Sequence, residues 1–90
     1  MIRITKLAIN LAGENTHNLL AYVNIVFEDC FIVRGIRVVQ RPEGGRLVLM
    51  PSRQNKAGDF KDVAHPITQD FRSQIEKEVL DRVAGMMPEK

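Results

Sequence analysis

Alternating apolar and polar residues run through the first half of the chain and predict β-strands there. The run from Ile2 to Leu11 is rich in β-branched and apolar residues, and its alternation slips between Ile4 and Leu7. Such a slip indicates an irregularity or bulge in the strand. The polar segment 13–18 predicts a turn before the next strand.

The second predicted strand, Leu19 to Phe27, has apolar residues on both faces. A period of two residues puts five apolar side chains on one face: Leu19, Ala21, Val23, Ile25 and Phe27. Leu20, Tyr22 and Val26 make the other face partly apolar. A strand that is covered on both sides lies inside a sheet, so we expect this strand to be central.

Two further strands complete the predicted sheet. Phe31 to Gln40 is β-rich and follows a polar break at Glu28–Asp29, which predicts an antiparallel hairpin with the second strand. Arg34 and Arg37 are expected on opposite faces of this strand. Solvent-facing charge on one side with edge protection on the other, and ligand contact, are the alternative roles for them. After a turn with two glycines, Arg46 to Met50 predicts a fourth strand in meander order.

The segment 51–67 concentrates turn residues, cations and one histidine between the last strand and the helix. Lys56 to Asp59 has the composition of a turn, and Phe60 to Ala64 suits a short extended segment. We expect a basic hairpin or loop here. Because surface segments carry binding groups without disrupting a core, this segment is where we expect the function to lie.

The last part of the chain has the spacing of an amphipathic helix over about 68–85. Thr68 can cap its first turn, and Asp70 is placed favourably at the positive end of the helix dipole. The apolar stripe, which we expect to be core, consists of Phe71, Ile75, Val79, Leu80, Val83, Ala84 and Met87.

Together these elements predict one α+β domain over residues 1–90, an antiparallel meander of four to five strands followed by a C-terminal helix. One helix cannot cover a sheet of that size. Leftover apolar surface or an open sheet edge therefore predicts a homodimer.

Composition adds few constraints. No window reaches the length of apolar sequence that a membrane helix needs, and the first residues lack the pattern of a secretory signal. Cys30 is the only cysteine, which suits a reducing compartment. We therefore expect a cytoplasmic protein without a membrane partner.

The formal net charge is only +2, but the segment 41–61 holds five cations and two anions.

Catalytic and metal-binding patterns are weak in this sequence. His17 and His65 have no companion at metal-ligand spacing, and Gly44–Gly45 lacks the following helix of a phosphate-binding loop. Ser52 and His65, with Asp59 or Asp62, contain the residue types of a nucleophilic site but no activating turn. We expect no catalytic residue, no metal, no cofactor and no enzymatic activity.

A basic constellation is the best candidate site. Arg53, Lys56 and Lys61, with Arg46 and Arg72, are spaced to follow a phosphate backbone. The same cations also suit an ordinary solvated loop, and spacing alone favours neither interpretation. Aromatic residues that stack on single strands are scarce in this segment.

The chain resembles the stage V sporulation protein G family, also called septation protein, over nearly its whole length. The residues that carry the resemblance are Leu20–Val23, Phe31–Val33, Ile36–Val39, Met50–Arg53, Gly58–Ile67 and Thr68–Arg72. The resemblance implies a small bacterial dimer with a sheet and a C-terminal helix. It also implies a regulator that binds DNA and RNA and is linked to septation and, in spore formers, to sporulation.

The resemblance also bears on individual residues. The family often has two adjacent cations after its Pro-Ser pair, and they are associated with nucleic-acid binding. Arg53 matches the first, Gln54 stands in place of the second, and Lys56 can supply the missing charge. An alternative function is a non-enzymatic protein-interaction module of the division machinery, in which an open edge or dimer groove engages a protein partner.

Overall fold

The computed structural model describes residues 2–12 and 18–86. In chain order its elements are β1 (Ile4–Leu11), β2 (Leu19–Phe27), β3 (Phe31–Gln40), β4 (Arg46–Leu49), β5 (Ser52–Gln54), β6 (Phe60–Asp62) and α1 (Gln69–Met86). Of the predicted turn at 13–18, residues 13–17 lie outside the described ranges, as does Met87 of the predicted apolar stripe.

The first four strands form one antiparallel sheet in the order β1-β2-β3-β4, and β5 pairs with β6 in a separate hairpin. The predicted α+β fold, a meander followed by a C-terminal helix, is confirmed. So is the interior position of β2, which pairs with β1 on one side and β3 on the other. No helix in the described ranges has the length and apolar composition needed to cross a membrane.

Irregular pairing changes which residues face the core. The predicted slip in β1 is confirmed, because its register with β2 shifts between Ile4 and Lys6. A second shift, between Leu19 and Ala21, was not predicted. Leu20, which simple alternation assigns to the other face, consequently packs against the core.

A bulge in β3 corrects the predicted positions of two arginines. Val23 pairs with Ile36 but Ile25 pairs with Val33, so β3 contains one extra residue between them. Gly35 lies in this bulge with a φ of +85°. Since a bulge reverses the alternation, Arg34 and Arg37 fall on the same face of the sheet rather than on opposite faces.

The helix packs on one face of the sheet. Thr68 caps α1 as predicted, because its Oγ1 accepts a hydrogen bond of 3.2 Å from the Phe71 backbone N–H. The Phe71 ring meets Phe27 edge to face, with 5.6 Å between centroids. The core consists of Ala21, Val23, Ile25, Phe27, Ile36, Val38, Val48, Met50, Ile75, Val79 and Val83.

The other side of the sheet is called the open face below. The pairing registers place Lys6, Asn10, Tyr22, Asn24 and Arg37 on it, and the bulge adds Arg34. Its apolar residues are Ala8, Val26, Ile32, Val39, Leu47 and Leu49. Tyr22 is 48% exposed and Ile32, on the same side, is 45% exposed. This is therefore the face of the sheet that the single helix leaves uncovered.

Candidate nucleic-acid interface

The segment after β4 forms a short hairpin, Ser52 to Asp62, called the basic hairpin below. Its turn is closed by the Gly58 N–H, which donates to the Asn55 carbonyl at 3.1 Å. The Asn55 side-chain oxygen accepts from the Asp59 N–H at 2.9 Å. Gly58 has a φ of +93°, a conformation that glycine adopts without strain. The turn begins one residue earlier than the sequence predicted.

Two cations face each other across this hairpin. Arg53 pairs directly with Lys61, and both are exposed. Side chains at paired positions lie on the same side of the ribbon with Cβ atoms about 4.5–5.5 Å apart. Like charges so placed destabilise a hairpin, and an anion bound between them would remove that repulsion. Lys56 adds a third exposed cation in the turn.

The carboxylates of the hairpin do not neutralise this pair. Asp62 is paired with Ser52, one position away from Arg53 and Lys61, and side chains alternate between the faces of a strand. Asp62 therefore lies on the opposite face of the ribbon. Asp59, two positions from Lys61, lies on the same face as the two cations but forms no ion pair with either. Among the described residues, the ion pairs join Arg3 to Glu28, Arg41 to Glu43 and Lys77 to Asp81, and none involves a hairpin cation.

Gln54, at the position where the resemblance implies a cation, has a structural contact. Its Nε2 donates to the Gly58 carbonyl at 3.1 Å and so braces the turn from within. The position that lacks a charge therefore supports the conformation of its neighbours.

Arg46 and Arg72 are not gathered with the other predicted site residues. Arg46 begins β4, at the end of that strand away from the hairpin, and borders a shallow hollow with Gln40 and Leu80. Arg72 is half-buried in the first turn of α1, where its N–H donates to the Thr68 carbonyl. The structure thus groups Arg53, Lys56 and Lys61 only.

Arg37 is a candidate that the sequence argument placed wrongly. Its guanidinium Nη2 donates to the Ser52 Oγ over 3.4 Å, which connects the open face to the base of the basic hairpin. The sequence signal for this placement is Gly35, because a glycine inside a strand often marks a bulge that reverses the faces.

The residue types of a nucleophilic site are not assembled. The Ser52 hydroxyl accepts its hydrogen bond from Arg37, whereas the His65 Nδ1 lies 3.0 Å from the Pro66 carbonyl oxygen. His65 thus has the structural contact expected from its place before Pro66. In the part of the chain that the structure describes, no three His, Cys, Asp or Glu side chains are grouped to hold a metal ion.

An apolar cavity of about 340 Å³ opens where the sheet meets the first turns of α1. Phe31, Met50, Pro66, Phe71 and Ile75 are among its lining residues. Ile67, next to the lining residue Pro66, is 90% exposed. The apolar end is this cavity together with four exposed side chains. Ile2 and Phe31 line the cavity, and Val63 and Ile67 are sequence neighbours of lining residues.

Comparisons with known proteins agree on one family. Residues 2–84 match the sequence model of the SpoVG family. The chain is 45% identical over 65 residues to the SpoVG protein of Treponema denticola, which is named for septation, covering 72% of this chain and 69% of that protein. It is 35% identical over 73 residues to its namesake in Caldicellulosiruptor saccharolyticus, covering 81% and 82%. For the namesake in Borreliella afzelii, the identity is 37% over 78 residues, covering 87% and 76%.

Proposed function

Because the chain belongs to the SpoVG family, we propose that it is a non-enzymatic regulator of septation that binds DNA or RNA as a homodimer in the cytoplasm. In spore formers the same activity would extend to sporulation. The basic hairpin is the binding element in this proposal, and the apolar end joins the two protomers.

The observation that carries the proposal is the pairing of Arg53 with Lys61. Two exposed like charges at directly opposed positions cost stability, and neither forms an ion pair with a carboxylate of the hairpin. A phosphate group accepts hydrogen bonds from both cations at once. Charge-assisted bonds of this kind are stronger than neutral ones, and they recognise the backbone rather than the sequence of a nucleic acid.

Fluorescence anisotropy with labelled duplex DNA and labelled single-stranded RNA tests the hairpin. We expect Arg53→Gln/Lys61→Gln to weaken binding about tenfold or more, since glutamine carries no positive charge to neutralise a phosphate. The matched control is Lys77→Gln/Arg82→Gln, which removes two exposed cations from the helix and should leave affinity within about twofold. Equal affinity of the hairpin variant and the wild type would refute the proposed site.

The chemistry of the apolar end supports homodimerisation. The cavity is a depression in this surface, and the exposed side chains of Val63 and Ile67 project from it. Both residues lie in the same segment of chain as the lining residue Pro66. A two-fold dimer places the same patch of both protomers in contact, so a patch holding both a cavity and projections can complement itself. Each dimer would then present two basic hairpins.

Sedimentation velocity tests the dimer. We expect the wild type to sediment as a dimer and Ile67→Asp to sediment as a monomer, because a buried carboxylate at the interface has no partner. Leu11→Asp is the control, since Leu11 is 45% exposed at the end of β1 and is not a cavity residue. A monomeric wild type would contradict self-association and favour a division protein as the occupant of the apolar end.

A further inference from the structure

The open face is a surface that the hairpin proposal leaves unused. Its central strand presents Tyr22, the only tyrosine of the chain, with 48% of its surface exposed. The helix packs on the opposite face, and β5 pairs with β6 rather than with this sheet. Tyr22 is therefore accessible to a ligand in the protomer.

Charge on this face has one sign. Lys6, Arg34 and Arg37 lie on it, and none of the positions that the registers of β1–β4 assign to it is Asp or Glu. The exposed carboxylates of α1, including Asp70, Glu78 and Asp81, belong to the element that packs on the other side of the sheet. A polyanion is therefore attracted to the open face, whereas the helix also carries the exposed cations Lys77 and Arg82 and is mixed in charge.

The side chains around Tyr22 suit an unpaired base. Across the strand pairs, Tyr22 lies between Asn10 on β1 and Arg37 on β3. An aromatic ring stacks on a base, a guanidinium binds phosphate, and an amide forms hydrogen bonds with base edges or sugar hydroxyls. Such a combination on a sheet surface binds single strands, because the base faces of a duplex are covered by stacking.

We propose that the open face binds a single nucleic-acid strand, with one base stacked on Tyr22 and its phosphates held by Arg34, Arg37 and Lys6. This inference rests on the proposed nucleic-acid-binding function and deepens it. The hydrogen bond from Arg37 to Ser52 connects the face to the base of the basic hairpin, so a strand leaving Arg37 passes directly to that hairpin.

Intrinsic fluorescence provides a direct test, because the chain has one tyrosine and no tryptophan. Titration with oligothymidine or oligouridine should quench the Tyr22 emission, after correction for absorbance, whereas a duplex of equal length should not. Comparison of the affinities for oligothymidine and oligouridine shows whether the face prefers DNA or RNA. Binding of the single strands without quenching would overturn the inference.

Variants separate this inference from the hairpin proposal. Tyr22→Leu should weaken single-strand binding about five- to hundredfold in anisotropy, whereas Tyr22→Phe, which keeps the ring, should stay close to the wild type. Arg34→Gln should weaken single-strand binding as well, and Arg82→Gln is the matched control. Each variant is first shown to be folded by circular dichroism.

The remaining outcomes are also decisive. If hairpin substitutions abolish binding while Tyr22→Leu and Arg34→Gln bind single strands like the wild type, the open face is not the site and the proposed function stands. If Tyr22→Leu instead converts a dimer to a monomer, the face is a protomer interface and the inference fails. A wild type that binds no nucleic acid would overturn both proposals.

Discussion

Gly35 determines which side chains reach the open face. Its φ of +85° permits the bulge that carries Arg34 to the side of Arg37 and Tyr22. The sequence predicted the opposite arrangement, because alternation was counted through the glycine without a break. The position of a bulge depends on pairing with β2, where the Asn24 side-chain oxygen accepts from the Gly35 N–H at 3.3 Å. Alternation within one strand does not contain that information.

Replacing Gly35 with alanine should destabilise the fold by about 1 kcal/mol, because a Cβ is disfavoured at positive φ. Space is not the cause, since an added Cβ would lie 3.8 Å from the nearest atom, the Cβ of Pro51. Gly85→Ala is the matched control: Gly85 is helical with open space around it, and alanine there should stabilise by about 0.5 kcal/mol. Urea unfolding measures both, and loss of stability in both variants would contradict this account.

Glu28 gives stability that depends on pH. The Arg3 backbone N–H donates to its Oε2 at 2.9 Å, and the Arg3 guanidinium to its Oε1 at 3.3 Å. The backbone bond first, and the side chain of Arg3 next, hold the pKa of Glu28 below its usual value of 4.5. A carboxyl group whose pKa is lowered on folding stabilises the folded state at pH values above its unfolded-state pKa. This stabilisation is lost as the pH falls through the folded-state pKa.

The Glu28→Gln variant should therefore show a shallower loss of stability below about pH 4.5 than the wild type. Urea midpoints measured by circular dichroism across that range provide the comparison. Parallel curves for the two proteins would mean that Glu28 contributes nothing to acid sensitivity.

At the level of the elements, regular patterns predicted most of the fold. The predicted bounds of β2 and β3 match the structure, and Thr68 caps α1 as its residue type suggested. The turn of the basic hairpin was displaced by one residue, because the asparagine side chain at 55 sets its start. Such side-chain to backbone contacts depend on geometry that composition alone does not specify.

Removing the cap tests how far local sequence stabilises α1. Thr68→Ala should cost about 1 kcal/mol in urea unfolding, since the Phe71 N–H loses its partner. Thr68→Ser keeps the hydroxyl and should retain most of the stability. If the two substitutions destabilise equally, the methyl group rather than the cap is responsible.

The whole molecule separates its surfaces by chemistry. Basic groups occupy the hairpin and the open face, the outer side of α1 carries both carboxylates and cations, and an apolar end lies where the sheet meets the start of the helix. The sequence predicted Arg53, Lys56 and Lys61 as one group, and the structure places all three in one short hairpin. The sequence also predicted Arg46 and Arg72, which lie away from this hairpin, and it did not place Tyr22 beside Arg37, because that placement depends on how distant strands pair.

The salt dependence of binding tests the central claim, that the basic hairpin binds phosphates, most directly. Affinity for duplex DNA is measured by anisotropy over a series of salt concentrations for the wild type and for Arg53→Ala/Lys56→Ala/Lys61→Ala. We expect a steep wild-type slope of log affinity against log salt, and a variant slope that is shallower by about one for each phosphate that the variant no longer neutralises. Identical slopes for the two proteins would show that these cations do not contact the nucleic acid.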